Sequence, residues 1–232
     1  MEKKWALVTG ANKGIGFETV RQLAFKGYSV VMTGRQKGKL DQAAGLLRGE
    51  GHNIITMVLD VTDEKSIAEA AVELKKQKIT LHALINNAAI LVDRDVPIQK
   101  VTRAMVKDSF ETNTFAPLFV TLAFEPLLAD GARVVMVSSG AGALSKPPYT
   151  WAPIYATTKT ALNAITRQLA PFLALRKIAV NTVSPGWVKT DMGGSEAERE
   201  VKEGAETPVW LATEVALNKT GLFWRDKVEI AW

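Results

Sequence analysis

The first group of residues suited to chemistry is Thr9-Gly10-Ala11-Asn12-Lys13-Gly14-Ile15-Gly16, which closes the first short apolar run. Glycines at 10, 14 and 16 allow a tight strand-to-helix turn and a close approach of backbone to ligand. The helix that follows then aims its first amides at a pyrophosphate. Glycines at such a turn are often only structural, so the motif gains weight from its place directly after the first strand. Asn12, Lys13 and Ile15 fill the turn. The second apolar run ends Met32-Thr33-Gly34-Arg35. A site for NAD usually places a carboxylate at this point, to bond the ribose 2′-hydroxyl. A guanidinium instead suits a 2′-phosphate. Lys13 can supply a second cation to the same phosphate, so the pair points to NADP(H). The alternative is that both are solvated surface charges. Asp60-Val61, after the third run, either flanks the adenine or places Asp60 as an N-cap for the next helix. Further along, Tyr155 and Lys159 stand four apart, and on a helix they share one face. Alone, such a pair is a common coincidence.

These groups need elements to hold them. Trp5–Val8, Ser29–Met32, Ile54–Val58, Leu81–Ile85, Arg133–Val137 and Ile178–Val183 read as buried parallel strands. Ile15–Lys26, Gly38–Gly49 and Asp63–Lys78 read as helices between them. This alternation predicts an α/β fold, a doubly wound parallel sheet with helices on both faces. Two longer helices are expected over Thr102–Leu128 and Pro153–Leu175, the first kinked or cut short by Pro117 and Pro126. Gly193–Gly204 reads as a mobile loop or small lid, within a substrate loop at about 190–207. Leu222-Phe223-Trp224 is a candidate last strand, and Lys227–Trp232 either a further short strand or a packed tail.

Composition removes several function classes. The chain has 232 residues, enough for one α/β domain with its own core. It has no cysteine and two histidines, His52 and His82. A disulfide framework, a thiolate zinc site and a cysteine nucleophile are therefore excluded, and no metal site is expected. The net charge of +5 comes from interspersed Lys and Arg without a basic tract, which argues against a nucleic-acid partner. The start, Met1-Glu2-Lys3-Lys4-Trp5, leads into too short an apolar stretch for a signal sequence, and no later run approaches membrane-spanning length. A cytoplasmic protein without a membrane partner is expected.

Taken in order, Thr9–Gly16, Asn86-Asn87-Ala88-Ala89, Ser138-Ser139, Tyr155-x-x-x-Lys159 and Pro185-Gly186 resemble the short-chain dehydrogenase/reductase family. The resemblance covers essentially the whole chain. Pro185-Gly-Trp-Val-Lys-Thr-Asp-Met192 and Gly204-Ala-Glu-Thr-Pro-Val-Trp210 are similar to its monomeric carbonyl reductases and their plant relatives. The resemblance implies a Rossmann-like single domain that reduces a ketone or aldehyde with NADPH. It implies Tyr155 as general acid, Lys159 as the cation that lowers the Tyr155 pKa and holds the nicotinamide ribose, and Ser139 as the donor to the substrate oxygen. Asn113 would hold a water linking Lys159 to solvent. Asn87 and Ala88 would pass beside the adenine ribose, Pro185 and Gly186 would shape the nicotinamide pocket, and Val188 and Thr190 would meet the carboxamide.

The chain departs from the family at Ala89, which usually is glycine, and between Ser139 and Tyr155, where the monomeric carbonyl reductases carry a long insertion. The short link implies that the face made by Thr102–Leu128 and Pro153–Leu175 is open to form a homodimer or homotetramer. Leu91, Ala141, Leu144, Trp151 and Trp187 are candidate walls for an apolar carbonyl substrate, or else plain core. Within the family, an oxidative alcohol or hydroxysteroid-like dehydrogenase and a 3-oxoacyl reductase are the alternatives. A catalytically silent NADP-binding sensor is a third.

Overall fold

The computed structural model describes residues 3–232, which leaves Met1 and Glu2 of the basic start outside the described residues. Eight strands form one sheet: β1 Trp5–Val8, β2 Ser29–Gly34, β3 Ile54–Val58, β4 Leu81–Asn86, β5 Leu128–Val137, β6 Ala179–Val183, β7 Phe223–Arg225 and β8 Val228–Ile230. Their order is β3-β2-β1-β4-β5-β6-β7-β8. Neighbours are parallel except β7 and β8, which are antiparallel. The chain starts at β1 in the middle, builds outward to β3, then returns to lay β4 on the other side. The switch between β1 and β4 opens a crevice at the carboxyl ends of the strands, where doubly wound sheets bind ligands.

The pleat divides the core in two. Ala6, Val8, Val30, Met32, Ile85 and Val135 point to one face, against α1 (Gly14–Phe25), α2 (Lys37–Gly49) and α7 (Val201–Thr213). Leu7, Val31, Leu84, Val134, Met136 and Val180 point to the other, against α3 (Glu64–Lys76), α5 (Ala116–Phe124) and α6 (Pro153–Ala174). Both faces are apolar because both are covered, so these strands read as continuous runs rather than alternating ones.

Three expectations need correction. The long helix over Thr102–Leu128 is α4 (Arg103–Phe110), a π-helical turn at Glu111–Phe115, then α5, and Leu128 already belongs to β5. Pro117, at the start of α5, has no N–H, so the Asn113 carbonyl four residues back loses its α-helical partner. β5 starts earlier than Arg133 but jumps register between Leu128 and Arg133 opposite Leu81 and Ala83, with Gly131 at φ 78° in the bulge. The segment Gly193–Gly204 is not a free lid. Its last four residues are the first turn of α7, and Lys189 N–H donates to the Arg199 carbonyl at 2.8 Å across a short parallel bridge. The expected 190–207 loop therefore ends at Glu200.

Candidate active site

The glycine turn joins β1 to α1. Gly10 and Gly14 have φ of 62° and 58°, which only glycine adopts readily. At Gly16 the constraint is space: a Cβ there would lie 2.4 Å from Asn87 Nδ2 and 2.5 Å from the Gly10 carbonyl. Asn87 donates that amide to the Thr9 and Gly10 carbonyls at 2.9 and 3.1 Å, and Thr9 Oγ1 accepts from the Asn87 and Ala88 amides. The Asn86–Ala89 segment thus braces the glycine turn directly. Ala89 keeps a negative φ, so its methyl costs nothing in backbone strain. The first turn of α1 carries no acidic residue and no side-chain cap, which leaves its amides free for an anion.

A cavity of about 610 Å³ runs from this turn along the ends of the strands. Gly10, Asn12, Lys13, Gly14, Ile15, Gly16, Arg35, Asp60, Val61, Asn87, Ala88, Tyr155, Lys159, Pro185 and Thr190 all line it. Of the residues expected to hold a cofactor, only Gly186 and Val188 do not. They line a second cavity of about 520 Å³, which meets the first at Ile15, Leu91, Arg94, Ser138, Tyr155, Pro185, Thr190 and Met192. Gly186, at φ 85°, packs under Arg199 so closely that a Cβ would meet the guanidinium at 2.7 Å. Arg35 is exposed at the first cavity and has no ion pair among the described residues. Lys13 pairs instead with Asp191, from the loop across the opening. Asp60 accepts from the Thr62 amide and hydroxyl, at 3.0 and 2.8 Å. The N-cap of α3 is Asp63, which accepts from the Lys65 amide at 2.9 Å, so the capping role expected of Asp60 falls to its neighbour.

Tyr155 sits in the first turn of α6, and Lys159 follows one turn later. Lys159 is buried, and its ammonium donates to the Val137 carbonyl at 2.9 Å. Its Nζ lies 5.6 Å from the centre of the Tyr155 ring. Ser138 turns inward and donates to the Lys159 carbonyl at 3.3 Å, whereas Ser139 lines the second cavity and accepts from the Ala141 amide at 3.1 Å. Burial pushes the Tyr155 phenol up to about 12, with the Ser139 hydroxyl pulling the other way. Burial also pushes the Lys159 ammonium down to about 7. Desolvation is the largest cause at both residues.

Asn113 is fully buried in the π-helical turn. Its Oδ1 accepts from the Ile90 amide at 2.8 Å, and its Nδ2 donates to the Ile90 carbonyl at 2.9 Å and to Thr158 Oγ1 at 3.2 Å. The Asn113 side chain is thus occupied by the Ile90 backbone and the Thr158 hydroxyl. Leu91, Ala141, Trp151 and Trp187 line the second cavity, as does Tyr149. Leu144 faces solvent, neither wall nor core. Sequence reasoning missed Arg94. It lines both cavities, lies 5.7 Å over the Trp151 ring and donates to the Met192 carbonyl. No local motif marks it, because both contacts are distant in sequence.

A glycine turn at the switch point of a doubly wound sheet, opening on a Tyr-Lys pair and a serine, defines a dinucleotide-dependent oxidoreductase scaffold. The chain belongs to the short-chain dehydrogenase family, whose model matches residues 4–201. Carbonyl reductase (NADPH) 3 of Mus musculus is 33% identical over 273 aligned positions, which cover 98% of each chain. That alignment is longer than the 232 residues present here, so the mouse protein carries segments this chain lacks. The (+)-neomenthol dehydrogenase of Arabidopsis thaliana is 31% identical over 90% of this chain and 91% of its own. Among solved structures, an NADPH-bound carbonyl reductase from chicken fatty liver superposes with a TM-score of 0.91, at 31% identity over the whole of both chains.

Proposed function

We propose that this protein is one NADP(H)-binding catalytic domain that reduces a ketone or aldehyde to an alcohol. The observation that carries the reading is the meeting of the two cavities at Tyr155, with Lys159 on the first side and Ser139 on the second. The first cavity suits NADP(H): uncapped α1 amides face a diphosphate, glycines leave room for it, and exposed Arg35 suits a 2′-phosphate. Bound NADPH supplies the hydride that the carbonyl carbon accepts. Tyr155 gives its phenolic proton to the carbonyl oxygen; burial keeps the phenol protonated but makes it a weaker acid, which the Ser139 hydroxyl partly offsets. Ser139 donates a hydrogen bond to the same oxygen as negative charge develops on it. Lys159 orients the ribose hydroxyls and stands next to the phenol for its reprotonation. The Asn113 carbonyl, freed by Pro117, is the acceptor for a water on that route.

Trp151, Trp187 and Tyr149 make the second cavity fit an apolar carbonyl compound. A cytoplasmic location belongs to the same proposal; no helix among the described residues is long and apolar enough to cross a membrane. The test is a panel of ketones and aldehydes with NADPH, followed by absorbance of the nicotinamide. Turnover with at least one member is expected. Absence of turnover across aliphatic, aryl and cyclic carbonyls, with NADPH bound, would leave the silent sensor as the reading.

A further inference from the structure

The sequence segment between β4 and α4 holds an aspartate that no catalytic motif includes. Asp93 is completely buried. Its carboxylate reaches the start of α6, to residues 61 and 62 positions further along the chain. There Oδ2 accepts from the Ile154 amide at 2.6 Å, and the two oxygens share the Tyr155 amide at 3.2 and 3.3 Å.

These two amides are the ones the helix cannot satisfy itself. The first turn of any α-helix has donors without intrahelical acceptors. In α6 the first residue is Pro153, which has no N–H, and the Ala156 amide already bonds the Ala152 carbonyl at 3.0 Å. Ala152, at the N-cap, provides no side-chain acceptor. Ile154 and Tyr155 are left, and Asp93 takes both. A carboxylate at this end also opposes the positive end of the helix dipole. The turn holding Asp93 is fastened a second time: the Asp95 amide donates to the Trp151 carbonyl at 2.7 Å, and the Val96 amide to the Asp93 carbonyl at 3.2 Å.

We propose that Asp93 is a positioning residue for the reaction: it clamps the first turn of α6 and so fixes where the Tyr155 phenol stands. The inference rests on Tyr155 being the proton donor. Without the clamp, the turn bearing Tyr155 is the part of α6 free to fray, while Lys159 lies a turn deeper. The glycine turn and Arg35, at the other end of the cofactor cavity, do not depend on it. Losing Asp93 should thus lower turnover and leave cofactor affinity alone.

The experiment uses the full chain with Asp93→Ala and Asp93→Asn, and reads amide hydrogen exchange beside kinetics. In Asp93→Ala, exchange at Ile154 and Tyr155 should quicken about tenfold or more, as expected on loss of an N-cap, with the later turns of α6 unchanged. Its kcat should fall by about tenfold with the KM for NADPH within about twofold. Asp93→Asn keeps the shape and one carbonyl acceptor, so it should restore most of kcat while at least one of the two amides still exchanges faster. Unchanged exchange at both amides in both variants would overturn the clamp. Loss of kcat matched by equal loss of NADPH affinity would overturn the positioning role. Should Asp93→Ala not fold, Asp93→Asn decides alone: normal exchange and normal kcat refute the proposal. Exchange needs no substrate, so a wild type inactive on every carbonyl would sink the functional reading while the Asp93 clamp is still judged.

Discussion

At the residue scale, charge placement decides cofactor choice and pH behaviour. Arg35 is exposed and unpaired among the described residues, whereas Lys13 is paired with Asp191. Arg35 should therefore carry more of the preference for a 2′-phosphate. Replacing it with Asp should lower kcat/KM with NADPH by about tenfold or more relative to NADH, and an unchanged ratio from cofactor-varied kinetics would remove that role. Lys159 gives a pH effect whose sign follows from its burial. Folded, it loses its proton near 7; unfolded, near 10.5. Between those values the unfolded chain binds more protons, so stability rises with pH; below 7 the full cost of a buried ammonium is present. Tyr155 works in another window, since its raised value stabilises the fold below pH 10 and that gain fades toward 12. Denaturant unfolding from pH 7 to 10 should show the wild type gaining on Lys159→Met, by about 1 kcal/mol per pH unit. A flat difference would mean that Lys159 keeps its charge. The glycine turn was legible from its local spacing, whereas the tyrosine, lysine and serine became legible only through the order of motifs that resembles a known family. The partners of Asn113, Arg94 and Asp93 were not, because each lies tens of residues away and is brought close only by the sheet.

At the element scale, the six central strands and the helices α1 to α3 were legible from apolar runs and amphipathic spacing. The helix α7 was not. Gly204 within it reads as the end of a loop, yet its missing Cβ admits Val188 at contact distance, and Pro208 lies buried inside the helix. The bulge in β5 was equally hidden, since register is set by the neighbouring strand. Two glycines in helices now carry opposite predictions. Gly45, inside α2, faces open space, so Gly45→Ala should stabilise by about 0.5–1 kcal/mol in thermal or denaturant unfolding. Gly16→Ala would drive a methyl into the Asn87 amide and the Gly10 carbonyl, so it should destabilise and weaken NADPH binding together. Equal stability of the two variants would contradict this account of the glycine turn.

At the scale of the whole molecule, the helices on one flank keep apolar side chains in solvent. Phe115, Phe119 and Leu122 on and before α5, with Phe172 and Leu175 at the end of α6, are all well exposed. Such a face suits a second copy of the chain, as the short link between Ser139 and Tyr155 implied. Light scattering at micromolar concentration should give a dimer or tetramer, and Phe119→Glu should shift it toward monomer. A monomeric wild type would refute the assembly without touching the chemistry.

The central claim is that Tyr155 delivers the proton at a site which binds NADPH independently of it. The direct measurement is Tyr155→Phe, with NADPH affinity from fluorescence and turnover on a carbonyl substrate of the wild type. The account predicts affinity within about threefold and kcat lowered by about a hundredfold or more, the range of a lost general acid. A variant that retains wild-type turnover would contradict it.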